Sequence, residues 1–571
     1  MSSDLLLGRD EEDTPVTVTH DERMRHLFAV GKSGLGKSKF LEHCIRQDIL
    51  NKKKPGLLLI DPHGELYEDI VSFCSYIDVD RTIHLVNPSD PNYIPCYNPL
   101  KSGTAPPDVL ARTMMQGCAQ VWGEDSMSTP LIRETLVSVF YLLIVNDLTL
   151  AEAPYVMSLE DTHGVREKLV STLEDYVIRE KWEGFIALTN EARTKPDFVN
   201  QMAPADRRLF EFNLSPLMRN IFGQTDTTLN IADAMKRGDI VLVNLGTEGN
   251  RVSAEDMKLL GTLLLRDVLV SAKARNRDYA KEFPFYVYVD ECYQYLTSDI
   301  EDMLDQTRKF GVHLMLACQR LGQLHDKDMF NPIIGGTEIK LVFGGMEHND
   351  AVEMAKQVYM RELDLERGVD KTKNPMVVGQ EIAHLKTEGK SAAEADSATS
   401  IVSSGVSTSA GSSIISDAAL EEALRATESV GRNDFSGEAE ARGRVRAKAK
   451  SESISETFKN IYEDRYSTVW GLDKLVWEKA AFLNDLQKQH AVAYTHRGGS
   501  HTIKIPFVKD VPNRRRSNLA ELYAERLSSA SDIHKETGVA FDAVVERAAQ
   551  LKEVFDTGED DEELFSDEFD N

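Results

Sequence analysis

An apolar run, Leu27 to Val30, feeds directly into Gly31-Lys32-Ser33-Gly34-Leu35-Gly36-Lys37-Ser38, a complete G-x-x-x-x-G-K-[ST] loop, and a helical pattern follows from Lys37 to Asn51. Few folds accept that order of strand, glycine loop and helix. The glycines let the backbone curl until successive N–H groups point inward, and the helix adds the partial positive charge of its N-terminus, so the loop is built for phosphate. Gly31, Ser33, Gly34 and Gly36 shape the cradle. Lys37 is placed to reach the β- and γ-phosphates of ATP, and the Ser38 hydroxyl to hold Mg2+.

The surrounding pattern predicts an α/β fold, a RecA-like P-loop NTPase with a doubly wound, mostly parallel sheet. Further strands are expected at Gly56–Ile60, Thr82–Val86, Ile240–Leu245, Phe285–Val289, Val312–Cys318 and Ile339–Phe343. Several are unbroken apolar runs, as strands covered on both faces require. Between Thr82–Val86 and Ile240–Leu245 lies a stretch, about Asn98 to Lys236, with helical periodicity and few strand signals. It reads as an inserted all-α subdomain, with Thr129 and Pro130 opening a helix over Leu131–Val145.

Composition shifts then divide the 571 residues into an N-terminal part of the core (1–97), the all-α insert (98–236) and a C-terminal part of the core (237–390). A low-complexity, disordered insertion follows (391–455), Ser-, Ala- and Gly-rich over Ser391–Ser436 with one weak helix near Ala418–Thr427. Closing elements of the core (456–510) include a hairpin of Ala491–Tyr494 with Thr502–Phe507 around Gly498-Gly499. A helical segment (511–555) and an acidic, disordered tail (556–571) complete the chain.

The net charge of −27 is −18 without the nine carboxylates of the tail, so acidity is a property of the whole chain. Such a protein is not a general polyanion binder, and nucleic acid contact must be local. Two basic clusters stand out, Arg442, Arg444, Arg446, Lys448 and Lys450, and Arg514-Arg515-Arg516; each is either a solvated run or a phosphate contact. The six cysteines are scattered without metal spacing, which suits a reducing cytoplasm. The longest apolar run, Leu136–Val145, falls short of the ~20 residues a bilayer needs, and the sequence shows no signal peptide or membrane span.

Phe285 to Val289 ends in Asp290-Glu291, a hydrophobic strand delivering two carboxylates. In such a Walker B arrangement Asp290 holds Mg2+ through water and Glu291 polarises the attacking water. Val312–Cys318 ends in Gln319, an amide placed to sense the γ-phosphate. Arg308 reads either as a solvated helix residue or as an arginine acting across a subunit interface. Asp61-Pro62-His63-Gly64 lies after the second strand at the periphery of the same site.

In this order the motifs resemble the type IV coupling proteins of conjugation and type IV secretion, within the HerA/FtsK-type ATPases. The resemblance is carried by Arg25-His26, Leu57 to Gly64, Asp239 to Leu245, Tyr288 to Glu291 and Arg308 to Leu324. It implies an ATP-hydrolysing DNA translocase: a homo-oligomeric ring, a hexamer, with ATP at subunit interfaces and single- or double-stranded DNA in the channel. In this family Arg308 would stand where a trans arginine acts and Gln319 where a γ-phosphate-sensing glutamine acts. A relaxase would be the protein partner. The alternatives are a motor of the HerA type for repair or defence with a nuclease partner, and an ATP-dependent assembly switch that is not a motor.

Overall fold

The computed structural model describes residues 4–361 apart from breaks at 78, 102–104, 123–129, 162, 191–192, 227, 248–251, 297–299 and 326–328, and then residues 373–395, 408–411, 427–430, 445–466, 472–509 and 513–556. The strands are β1 (Leu5–Arg9), β2 (Pro15–Val18), β3 (Leu27–Val30), β4 (Gly56–Asp61), β5 (Ile83–Val86), β6 (Tyr93–Pro95), β7 (Ile240–Asn244), β8 (Phe285–Val289), β9 (Val312–Cys318), β10 (Ile339–Phe343), β11 (Lys373–Ala395), β12 (Thr408–Gly411), β13 (Thr427–Val430), β14 (Val445–Tyr466), β15 (His490–Thr495), β16 (Gly499–Lys504) and β17 (His534–Glu536).

Eleven of them form one sheet in the order β2-β1-β16-β15-β10-β3-β9-β8-β4-β7-β5. From β10 to β5 every pairing is parallel, while β15, β16, β1 and β2 extend it antiparallel. Both faces are covered. Leu57, Leu59, Tyr286, Tyr288, Met315 and Ala317 join one core with Phe40, Leu41, Cys44 and Ile45 of the helix Lys37–Ile49. The intervening Leu58, Ile60, Val287, Val289, Leu314 and Leu316 are equally buried, which is why these strands show no polar alternation.

Register brings the working ends of the strands together. Val30 of β3 pairs with Cys318 of β9, Leu316 of β9 with Val289 of β8, and Val289 with Ile60 of β4. The residues that follow these strands therefore share one edge, the place where open parallel sheets bind ligands.

Behind the sheet a buried ion pair fixes the entry to β3. Arg23 donates to both carboxylate oxygens of Asp48 at 2.7 and 2.8 Å, Tyr288 Oη donates to the same carboxylate, and the guanidinium lies 3.5 Å from the Tyr286 ring centroid. Both charges are out of water. Asp48→Ala strands the guanidinium and should cost about 3–5 kcal/mol in urea unfolding, whereas the paired change Arg23→Met with Asp48→Leu should cost clearly less.

The region 107–237 contains helices and no strand among its described residues, from Pro107–Trp122 to Ile231–Arg237. Its helix Pro130–Val145 buries Leu136, Val139, Phe140, Leu142 and Leu143. Among the described residues no single helix is long and apolar enough to cross a membrane; that helix does so by length and composition only together with Leu150–Met157, across a bend of 119°. All six cysteines are buried and free.

The helical C-terminal segment divides into Asn513–Ala530 and Thr537–Asp556, because β17 interrupts it to pair with β6. The hairpin arm expected at Thr502–Phe507 instead runs from Gly499, since the turn closes within His496–Gly498.

The chain forms two compact units, 1–362 with 476–571, and 363–475. The boundaries expected at 390 and 455 thus fall inside the second unit. There β11 and β14 pair antiparallel and enter the low-complexity stretch from both sides, to Ala395 and from Val445, while β12 pairs with β13. The physical signal was alternation: Arg446, Lys448 and Lys450 recur at the strand period of two. Residues 396–407, 412–426 and 431–444 lie outside the described residues, as does the tail 557–571; the weak helix expected near Ala418–Thr427 falls there except for Thr427, which opens β13.

Candidate nucleotide site

The phosphate loop is built by backbone before any side chain acts. Gly31 has φ 150°, and a Cβ there would stand 2.6 Å from Phe343 Cβ; Gly36 has φ 118° and caps the helix Lys37–Ile49. Neither position accepts a side chain without strain. The loop is also braced from the antiparallel end of the sheet. Gln489 N–H donates to the Leu35 carbonyl at 2.9 Å and Lys32 N–H to the Gly344 carbonyl at 3.3 Å. Gln489 is not legible in the sequence, because nothing in its local pattern announces that it reaches a loop 454 residues earlier.

Lys37 is buried and its ammonium donates to the Gly31 carbonyl within its own loop. Burial lowers its pKa, opposed by the charges of Glu291 and Asp290. Ser38 Oγ donates to Asp290 Oδ2 at 3.2 Å, which joins the phosphate loop to the end of β8. Asp290 is buried too; burial raises its carboxyl pKa and nearby Asp61 adds to the rise, while Lys37 opposes it.

Glu291 adopts φ 45°, a left-handed conformation costly for a residue with a side chain, at the sharp turn after β8. Its carboxylate is pushed up first by burial and then by Asp290, against a hydrogen bond from Gln319 and the charges of Lys37 and His63. Its Oε2 is buried with no hydrogen-bond partner. An orphaned carboxylate oxygen beside a lysine and an amide is fitted to accept a proton or a water.

A carboxyl with a raised folded-state pKa holds its proton more tightly in the native than in the unfolded chain, so native stability falls as the pH rises through that value. Glu291→Gln removes the ionisation. The nucleotide-free variant is therefore expected to melt higher than the parent at pH 8, by a few degrees, with the gap closing as the pH falls through the raised value; thermal unfolding across pH checks this.

Of the residues expected from sequence, Gly31, Ser33, Gly34, Gly36, Lys37, Ser38, Asp290, Glu291 and Gln319 gather at this edge. Asp61 joins them, its carboxylate accepting from His63 N–H at 3.0 Å and Tyr67 N–H at 2.9 Å and so capping the helix Glu65–Ile77; the His63 side chain is exposed. Arg308 does not join them. It is exposed near the end of the helix Ile300–Lys309, before the first residue of β9, whereas the site lies after the last.

Ser38 and Asp290 offer two hard oxygen ligands, and among the described residues no group of three His, Cys, Asp or Glu side chains is placed to hold a metal. That is the donor set of a Mg2+ ion completed by phosphate and water. The residues fit ATP with Mg2+.

Residues 284–401 match the family described as the TraM recognition site of TraD and TraG. The chain resembles the type IV coupling proteins. The matched stretch begins at β8 and takes in Asp290, Glu291, Arg308 and Gln319, the second half of the motif order that carries the resemblance. No curated protein matches the chain. Among solved structures, the bacterial conjugative coupling protein TrwB lacking its first 70 residues is similar at 13% identity and TM-score 0.46, over 89% of this chain and 90% of that one. TrwB with ADP and Mg2+ is similar at 13% identity and TM-score 0.45, over 88% and 89%. VirB4 of Thermoanaerobacter pseudethanolicus is similar at 14% identity and TM-score 0.43, over 64% and 89%.

Proposed function

We propose that this protein is a cytoplasmic ATP-hydrolysing motor that moves DNA, alone or bound to a protein such as a relaxase, through a ring of its own copies in conjugation or type IV secretion. The observation that carries the reading is the convergence of Lys37, Ser38, Asp290, Glu291 and Gln319 on one sheet edge. A glycine cradle, a metal-ligand pair, a base and an amide sensor are together a hydrolytic site, more than a switch needs for nucleotide binding alone.

In this reading Lys37 leaves the Gly31 carbonyl for the β- and γ-phosphate oxygens of ATP. Glu291 Oε2 orients the attacking water and takes its proton. Gln319, bonded to the same carboxylate, reports whether a γ-phosphate is present. Mg2+ held by Ser38 and Asp290 would neutralise charge on the bridging and leaving oxygens. Arg308, remote from its own site, serves the site of the neighbouring subunit. The match over 284–401 supports recognition of a TraM-like protein, and the basic clusters are the candidate contacts for DNA.

ATP turnover measured alone, with single-stranded DNA and with double-stranded DNA tests the proposal. A motor couples the two, so one form of DNA should accelerate hydrolysis severalfold. Turnover indifferent to both would leave a nucleotide-dependent assembly switch.

A further inference from the structure

His26 enters β3 with φ 62° and is buried. Both ring nitrogens are engaged with backbone. Nδ1 accepts from Leu314 N–H of β9 at 2.9 Å, so the ring proton is on Nε2, which donates to the Leu304 carbonyl at 2.8 Å. Burial lowers its pKa to about 4, and the ring stays neutral in this tautomer at neutral pH.

One ring thus ties three elements: the strand that ends in the phosphate loop, the strand that ends in Gln319, and the helix Ile300–Lys309. In regular helix geometry the Leu304 carbonyl is the one bonded by the N–H four residues on, that of Arg308. A second clamp closes the other side of the same turn, for Arg275 Nη1 donates to the carbonyls of Phe310 at 2.9 Å and Gly311 at 3.3 Å. Arg308 sits between the clamps, exposed. At strand rise the seven residues of β9 separate it from the site edge by ~20 Å, so rigid placement there does nothing for its own nucleotide.

We propose that His26 is a positioning residue that holds the Arg308 helix in register with the phosphate-loop strand, so that Arg308 is set for the nucleotide of the adjoining subunit. This rests on the reading of Arg308 as a trans arginine. His26→Asn is the informative change. Asn tolerates a positive φ and its Oδ1 can still accept from Leu314 N–H, but it is too short to reach Leu304.

Three quantities are read for His26→Asn, Arg308→Ala and Lys37→Ala: ADP affinity by calorimetry, steady-state kcat and KM, and ATPase activity of rings mixed from two variants. His26→Asn should keep ADP affinity and KM and lose about 10- to 100-fold in kcat, the cost of a displaced catalytic group. Mixed with Lys37→Ala it should regain activity, because some interfaces then pair an intact phosphate loop on the His26→Asn subunit with a correctly held Arg308 from the other. If His26 instead acted on its own phosphate loop, no interface in that mixture would be whole.

Recovery by Arg308→Ala with Lys37→Ala but none by His26→Asn with Lys37→Ala overturns the inference and leaves the trans arginine standing. Failure of both mixtures, with mixing verified, removes the trans arginine and the inference with it. Should His26→Asn not fold, Arg275→Ala puts the same question to the second clamp: recovery on mixing with Lys37→Ala supports the inference, and its absence overturns it.

Discussion

Glu291→Gln is expected to lower kcat for ATP hydrolysis by about 10²–10⁴-fold, the usual contribution of a positioned general base, while ATP still binds. The separation follows from where the carboxylate stands. In the proposed site phosphate recognition belongs to the loop amides, Lys37 and Ser38, none of which Gln would disturb, and the amide keeps a hydrogen-bonding partner for Gln319. Only the proton acceptor goes. Rapid-quench measurement of product together with a nucleotide-binding titration checks both halves; a variant that no longer binds ATP contradicts the role given to Glu291.

Lys37→Ala should remove nucleotide binding and hydrolysis together, a loss of at least about 10²-fold in kcat/KM. The side chain answers two needs. In the proposed site it would neutralise the β,γ oxygens of bound nucleotide, and without nucleotide it is the cation facing buried Asp290 and Glu291, whose pKa values it holds down. Its removal lets both carboxyls rise further above their unfolded values, so the nucleotide-free variant should lose stability as the pH is raised, more steeply than the parent. Isothermal titration and thermal unfolding between pH 5 and pH 8 read these effects separately. Wild-type turnover in this variant would rule out the assigned site.

The parallel core was legible because its strands are covered on both faces and so appear as unbroken apolar runs. Phe285–Val289, Val312–Cys318 and Ile339–Phe343 have the bounds read from sequence, and the loop glycines and the pair Asp290-Glu291 fall at strand ends as their motifs require. What was not legible depends on contacts distant in sequence. The hairpin of β1 and β2 is easily passed over because its strands are short and the charges of its turn, Asp10 to Asp13, dominate the segment. Asp48 reads as one more charge on a helix until Arg23 and Tyr288 are found against it, and the pair Arg25-His26 marks the entry to β3 without showing that the His26 ring reaches β9 and the Arg308 helix. The long ribbon of β11 and β14 lies almost wholly outside the Ser391–Ser436 stretch, and its period of two is carried by residues such as Arg446, Lys448 and Lys450, which read first as a charge cluster.

Whether hydrolysis at the Lys37–Glu291 site moves DNA is read from displacement of a labelled strand annealed ahead of the protein on a DNA track. The parent protein should displace the strand with ATP and Mg2+, and Glu291→Gln should not, although that variant holds ATP. ATP hydrolysis at full rate on the track without displacement would contradict the proposed motor.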